Sequence, residues 1–453
     1  KTDAEMKADA FVTLLGNAFA KDSGSINSGY PILDGQKSRG AEAPVHAGLE
    51  IGTAEELKNF AVRVNAGESF KNKTVLLTAH IDLSKYPDWT PIGWYESRQF
   101  DGIFDGQGYV IDNLYSKSGG LFGYVGTNAV IKNVGVASGE IGASNLSFMG
   151  GIAKWSNGAD FINCWNGADI YCSGWSGGIV GTVRDGGKSI IRGCFNIGSV
   201  SASDGAVGGI VGHLSASGNG TDVSVLVADC YNAGTITAAD NAGGIVGRVQ
   251  AGHTIKNCYN AGAVTVNGVN ILDGAGAIAS LVTGRDVIIN CYYDSGIVPC
   301  GVSNGEDAAT GKKTAEMKSD EFLALLGDSF KADRYSLVNN GYPLLVWQKT
   351  EDADETDDVI AKIDAIGTVT LESESTIKEA RSAYDGLSDE LKELVENYDR
   401  LVKAEKDLSG LKKAGGIVTP DTGDNAHVPV YVLLSVGCIC AAAAFRGKTK
   451  RRV

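Results

Sequence analysis

Five cysteines recur in one local setting: NCWN at 163–166, GCFN at 193–196, DCYN at 229–232, NCYN at 257–260 and NCYY at 290–293. Thiols repeated in this way can ligate a soft metal, pair as disulfides, act as nucleophiles or fill space. A metal site needs convergent ligands at tight spacing. Here Cys164, Cys194, Cys230, Cys258 and Cys291 are 30, 36, 28 and 33 residues apart, with no histidine beside them. No metal is therefore expected. The run IKNVGV at 131–136 belongs to the same series, and Val134 takes the cysteine position. Valine cannot ligate or cross-link, yet it nearly matches the volume of a buried free thiol, which behaves as a small hydrophobe. The expected role is packing, as a structural ladder of Val134, Cys164, Cys194, Cys230, Cys258 and Cys291. A pairwise bridge stays open, because stacked strands bring equivalent Cα atoms to about 4.8 Å, inside disulfide range.

The neighbouring positions repeat too. Three residues before each ladder position stands Ile131, Phe161, Ile191, Val227, Ile255 or Ile288. An offset of three lets both residues face inward only if the backbone kinks between them. The residue just before the ladder position is Asn133, Asn163, Gly193, Asp229, Asn257 or Asn290, the types that enter left-handed backbone at least cost. Asn166, Asn196, Asn232 and Asn260 follow two residues after the thiols and suit an amide ladder along the stack. The aromatics Trp165, Phe195, Tyr231, Tyr259 and Tyr292 should point outward, either as an exposed stripe for sugar or protein contact or as a seam under a covering segment.

Catalysis needs acids, bases or nucleophiles within reach of one another. The histidines stand apart at 46, 80, 213, 253 and 427, and no nucleophile–base pair or phosphate loop is present. No catalytic residue, metal ligand or cofactor is assigned, and the chain is not read as an enzyme. His213 and Arg248 follow successive GGIVG runs in equivalent places and are expected on one solvated face. The net charge of −14 over 453 residues argues against nucleic acid as a partner, since affinity there comes from Lys and Arg neutralising phosphates.

The elements that would position these residues are short. Between the thiols lie GGLFGYV (119–125), GGIAKW (150–155), GGIVGTV (177–183), GGIVGHL (208–214) and GGIVGRV (243–249). Fixed elements separated by spacers of variable length mark a stacked array, and β-branched or aromatic runs bounded by Gly, Asn and Asp read as strands. With 61 glycines and only 8 prolines, the chain suits tight, repeated turns. A mainly β, parallel β-solenoid is predicted over 37–312, with FDGIFDGQGYVIDNLY (100–115) as its opening coil. Residues 1–36 repeat the sequence of 313–348 (KTAEMKSDEFLALLGDSFKADRYSLVNNGYPLLVWQ). The second copy reads as a helical closing segment of the module. The first is expected to end a preceding module upstream of Lys1, as no secretory leader opens the chain.

Beyond residue 348 the composition becomes acidic and helical: an acidic linker at 349–358, then a three-helix spacer at 359–412. Ser388 is the expected N-cap of its last helix, and Leu391, Leu394, Val395, Tyr398, Leu401 and Val402 its apolar stripe. Residues 413–453 hold TPDTG (419–423), an apolar run at 428–445 and the tail RGKTKRRV. Eighteen helical residues span about 27 Å, enough for a bilayer core, and the basic tail would stay cytoplasmic.

The coil sequences, FDGIFDGQGYVIDNLY followed by GGLFGYV, IKNV and repeated GGIVG, resemble the GLUG-motif repeats of bacterial cell-surface proteins. Those repeats also accompany the catalytic domain of M26-type immunoglobulin A peptidases. The resemblance implies a right-handed β-helical stalk or adhesive region on the cell surface. It does not imply protease activity, because the H-E-x-x-H zinc motif is absent from this sequence. The C-terminal order resembles a sortase cell-wall sorting signal of the L-P-x-T-G type. Carried over, Thr419, Pro420, Asp421, Thr422 and Gly423 form the recognition sequence. The cut falls between Thr422 and Gly423, and the membrane helix holds the chain until processing. Thr419 stands where the family has leucine. The expectation is a Gram-positive surface protein linked by a sortase to peptidoglycan, outside the cell, an adhesin or ligand-binding stalk for a glycan or protein. The alternatives are the non-catalytic part of a larger surface hydrolase, polysaccharide-active or peptidase, and a passive scaffold.

Overall fold

The computed structural model describes residues 19–20, 32–33, 48–184, 188–215, 224–250, 252–267, 274–282, 287–303 and 308–415. It divides into two compact units, residues 1–354 and 355–453.

The first unit is a parallel β-solenoid. One coil shows the plan: strands Lys188–Arg192, Phe195–Asn196, Val200–Ala202, Ala206–Gly208 and Val211–Leu214 follow one another around the axis. Each pairs only with its counterparts one coil before and after. The result is two nine-stranded sheets, two six-stranded sheets and one five-stranded sheet. The corner between the first two faces is where the backbone turns left-handed. Asn133, Asn163, Gly193, Asp229, Asn257 and Asn290 have φ of 53°, 54°, 62°, 53°, 51° and 50°. That turn lets Ile131, Phe161, Ile191, Val227, Ile255 and Ile288 stack in register on the first face while the thiols three residues later also face the core.

The GGIVG run makes a closely packed corner. A Cβ on Gly209 would lie 2.1 Å from the Gly244 carbonyl oxygen and 2.5 Å from Cγ of Asn232. The glycine is there to let two backbones and an amide ladder meet. In the last such corner Ala277 takes this place, and there the column holding Asn232 and Asn260 continues as Tyr293.

Within the range expected for the solenoid, the stack begins before the coil at 100–115 expected to open it. Leu49–Ile51 and Thr74–Leu77 already belong to the first sheet and Ile81–Asp82 to the second. Between them lies a helix the reading missed, α1 (Ala54–Asn65), which plugs the end of the barrel with Leu57, Phe60, Ala61 and Val64. Phe60 meets Phe70 edge-on at 4.9 Å and Phe100 at 5.7 Å. The helix start is capped from both sides: Thr53 Oγ1 accepts from Glu56 N, and the Glu56 carboxylate reaches back to accept from Gly52 N at 2.8 Å.

The closing segment carries α2 (Thr314–Met317), α3 (Asp320–Leu326) and an antiparallel pair, Phe330–Lys331 with Leu344–Leu345. The duplicated N-terminal sequence has the same pair, Phe19–Ala20 with Ile32–Leu33, in the same register.

In the second unit the acidic run expected as a linker is helical: α4 spans Glu351–Asp364 and begins in the first unit. Acidic residues favour a helix N-terminus, where they oppose the positive end of its dipole. Then come α5 (Glu374–Gly386), α6 (Asp389–Lys392) and α7 (Tyr398–Gly415). Ser388 caps α6, accepting from Leu391 N. The single helix expected from that point is interrupted between Lys392 and Tyr398, and Val402 of the expected stripe is 42% exposed. Among the described residues no helix is long and apolar enough to cross a membrane; the expected span 428–445 lies outside them.

Candidate functional site

Val134, Cys164, Cys194, Cys230, Cys258 and Cys291 are all buried, at 0 or 1% exposure, in the solenoid core. The five cysteines are free thiols. Each S–H group faces two carbonyls. Cys258 Sγ lies 3.2 Å from Lys256 O in its own coil and 3.8 Å from Val227 O in the preceding one. Cys164, Cys194, Cys230 and Cys291 repeat this pattern. Burial pushes the Cys194, Cys230 and Cys258 thiols well above their ordinary range, opposite to what a nucleophile needs. Cys172, outside the ladder, is also a free thiol, and Cys300 Sγ donates to Ala275 O at 3.1 Å. Among the described residues no cluster of three metal-ligating side chains occurs.

Two residues further on, the asparagines form a second internal ladder. Asn166 Nδ2 donates to Asn196 Oδ1, Asn196 to Asn232 and Asn232 to Asn260, at 2.9, 2.9 and 2.8 Å. The second amide hydrogen of each goes to the carbonyl two residues on. The ladder is buried and satisfied, so these amides are committed to the fold.

The outward aromatics are a seam rather than a stripe. Trp165, Phe195, Tyr231 and Tyr259 stack nearly parallel at 5.4, 5.0 and 5.1 Å. The closing segment lies over them with Met317, Phe322, Leu326, Phe330, Tyr342 and Leu345. Polar tips are matched across this seam: Gln348 Nε2 donates to Tyr231 Oη at 3.0 Å, Asn339 Nδ2 to Tyr259 Oη at 2.9 Å, and Tyr342 Oη to Asp294 at 2.6 Å. Burial raises the Tyr231 and Tyr259 phenols far above their usual values.

Thr182, His213, Arg248 and Leu281 align in register on the fifth face. This strip is not solvated as expected. His213 is 3% exposed, its ring 4.1 Å from that of Trp175, and neither ring nitrogen has a hydrogen-bond partner among the described residues. Burial, then the charges of Arg248 and Arg184, lower its pKa to about 4. It is held neutral at physiological pH.

One accessible cleft lies at the capped end. Between α1 and the loop after Ile81–Asp82 is a cleft of about 440 Å³ lined by Lys58, Val62, Asn65, Tyr86, Asp88, Thr90, Trp94 and Arg98. Sequence reasoning missed it. The only available signal was the aromatic pair in GWYESRQ, and its partner Asn65 is 29 residues distant. The expected sorting residues Thr419, Pro420, Asp421, Thr422 and Gly423 lie outside the described residues, as does His427.

No family model matches the chain, and no curated protein matches it. Among solved structures, one described as a candidate immunoglobulin A1 protease from Bacteroides ovatus matches with a TM-score of 0.50 and 22% identity. It covers 67% of this chain and 93% of that one. A second, described as IgA1 protease, matches with a TM-score of 0.45 and 17% identity over 69% of this chain and 27% of that chain. The first likeness is one of fold.

Proposed function

We propose that this chain is a surface recognition protein of the GLUG-repeat kind, anchored to a Gram-positive cell wall through Thr419–Gly423, with the solenoid as a rigid stalk that contacts extracellular ligands. The observation that carries the reading is how the solenoid spends its reactive groups. The ladder thiols, the stacked asparagines, the Tyr231 and Tyr259 phenols and His213 are buried in stacking, whereas the exposed pair Trp94 and Tyr95 stands beside a cleft at one preorganised end. Such a body suits binding, where rigidity lowers the entropy cost of association. The sequence order of pentapeptide, apolar run and basic tail supports anchoring.

A second reading, a non-catalytic module of a larger surface peptidase, is favoured by the description of the Bacteroides ovatus relative. Two experiments separate these. The full chain, expressed in a host with an active transpeptidase, should enter the wall fraction released by muramidase, and Thr422→Ala should leave it in the membrane fraction. Purified chain should adhere to some member of an array of mucins, matrix proteins and glycans and leave it chemically intact. Detection only in membranes for both forms would remove anchoring, and release of peptide fragments from the array would favour a peptidase.

A further inference from the structure

We infer that the cleft at the capped end is a saccharide-binding site, with one pyranose ring laid on the indole of Trp94; this deepens the recognition reading and rests on it. Of the six tryptophans, Trp94 alone is exposed, at 42%. Tyr95 beside it is 56% exposed, and the two rings stack at 5.6 Å with an interplanar angle of 7°. An exposed aromatic pair is unfavourable in water unless something covers it.

The exposure is built in rather than slack. Asn65, the last residue of α1, clamps the loop on both sides: its Nδ2 donates to Pro91 O at 3.0 Å and its Oδ1 accepts from Trp94 N at 2.8 Å. Arg98 Nη1 donates to Asn65 O at 2.6 Å. Gly93, at φ 76°, turns the chain where a Cβ would meet the Tyr124 carbonyl oxygen at 2.6 Å. Below, Trp89 is buried and donates to Leu121 O. The platform is therefore held in place before any ligand arrives, and little conformational freedom remains to be lost on binding.

The rim selects the ligand class. Lys58 and Arg98 offer donors, Asp88 an acceptor and Thr90 both, while Lys58 sits 4.8 Å from the Tyr86 ring centroid. One flat apolar surface ringed by donors and acceptors of both signs matches a sugar, which has an apolar C–H face and a girdle of hydroxyls. A polyanion meets a carboxylate in the rim and a net charge of −14 overall. A proline-rich peptide needs a longer run of apolar surface. The volume of about 440 Å³ is in the range of small-molecule sites.

The test uses the full chain, titrated with N-acetylchitohexaose, cellohexaose, mannohexaose and sialyllactose, read by tryptophan fluorescence and calorimetry. At least one should bind, and Trp94→Ala should weaken it by about tenfold or more, the loss of one aromatic contact, with an unchanged Tm. Trp94→Phe should recover part of the affinity, and Tyr171→Ala, an exposed aromatic on another face, should not matter. A saccharide that binds equally to Trp94→Ala overturns the site while leaving recognition intact. Binding of a polyproline peptide instead, dependent on Trp94, overturns the saccharide class. Failure of all these probes overturns the inference, and the adhesion array then judges the recognition reading separately.

Discussion

At each coil a single thiol meets two backbone carbonyls, and this changes what substitution should do. Lys256 O, the nearer acceptor of Cys258, already receives the amide of Asp229 at 3.0 Å, so losing the weak S–H bond does not leave that acceptor unpaired. Cys258→Val should therefore cost less than about 1 kcal/mol, as a near volume-conserving exchange. Cys258→Ser keeps a donor within reach of the same carbonyls but leaves a void where sulfur was, and should cost about 1–2 kcal/mol. Urea midpoints of the two variants decide it, and a valine variant weaker than the serine one would refute packing as the role of the ladder. His213 makes a different residue-scale prediction. Its folded pKa, about 4, lies below its unfolded value near 6.5. Above pH 6.5 both states are neutral and nothing is lost. As pH falls from 6.5 to 4 the unfolded chain takes up a proton that the folded chain refuses, so stability drops across that window, by up to about 3 kcal/mol. Arg248, Arg184 and His253, the charged or titratable groups acting on it, all push in this direction. His213→Phe, which keeps a ring against Trp175, should flatten that part of the pH–stability curve; an unchanged slope would mean that His213 titrates normally.

Elements in this fold are repeats, so their stability is a matter of neighbours along the stack. Asn232→Ala removes the acceptor of Asn196 Nδ2 and the donor to Asn260 Oδ1 together, and should cost at least about 2 kcal/mol. Asn260→Ala, at the ladder's end, leaves Asn232 Nδ2 its other bond to Gly234 O and should cost less. Equal losses in urea denaturation would show that the amides act independently. The same repetition explains what could be read before any coordinates. A position that recurs as Ile131, Phe161, Ile191 and Val227, followed each time by Asn, Gly or Asp and a small apolar residue, gives the coil, the kink and the inward facing in one pattern. What happens once is harder to read. The helix α1 has a legible cap in Thr53 and Glu56, but it interrupts a region whose other signals are all β. Whether Tyr259 is exposed or covered depends on its meeting Phe322 and Phe330, more than sixty residues away. The charges of 350–358 read as a linker because their value to a helix N-terminus is electrostatic and leaves no apolar period. Nothing in the local sequence of Trp94 shows that Asn65 will hold it.

At the scale of the whole molecule, the two units have separate cores built by different rules. The solenoid core runs continuously from Ile51 to Ala309. The helical unit closes around Val359, Ile363, Ile377, Leu401 and Leu408, with Tyr384 and Tyr398 stacked at 4.3 Å and Arg381 gripping Glu405 through two bonds of 2.7 and 2.8 Å. Parallel pairing couples every coil to the next, so the solenoid should unfold as one large step with a high unfolding barrier, whereas a short helical unit of local contacts folds and unfolds quickly. Two transitions are therefore expected on heating. Leu401→Ala, a fully buried truncation, should destabilise the helical transition by about 2–5 kcal/mol and leave the solenoid's in place. Val227→Ala should do the reverse, by a smaller amount because fewer methyl groups are removed. The helical transition should also weaken in acid. Glu374 is held at a pKa of about 2 by Lys378 and Lys412, below its unfolded value, so its contribution is present above about pH 4.5 and is lost as pH falls through about 2. It is exposed, so salt should blunt this effect. Differential scanning calorimetry of the full chain and both variants tests the scheme. If either substitution moves both transitions together, the chain folds as one cooperative body and the division into stalk and spacer is wrong.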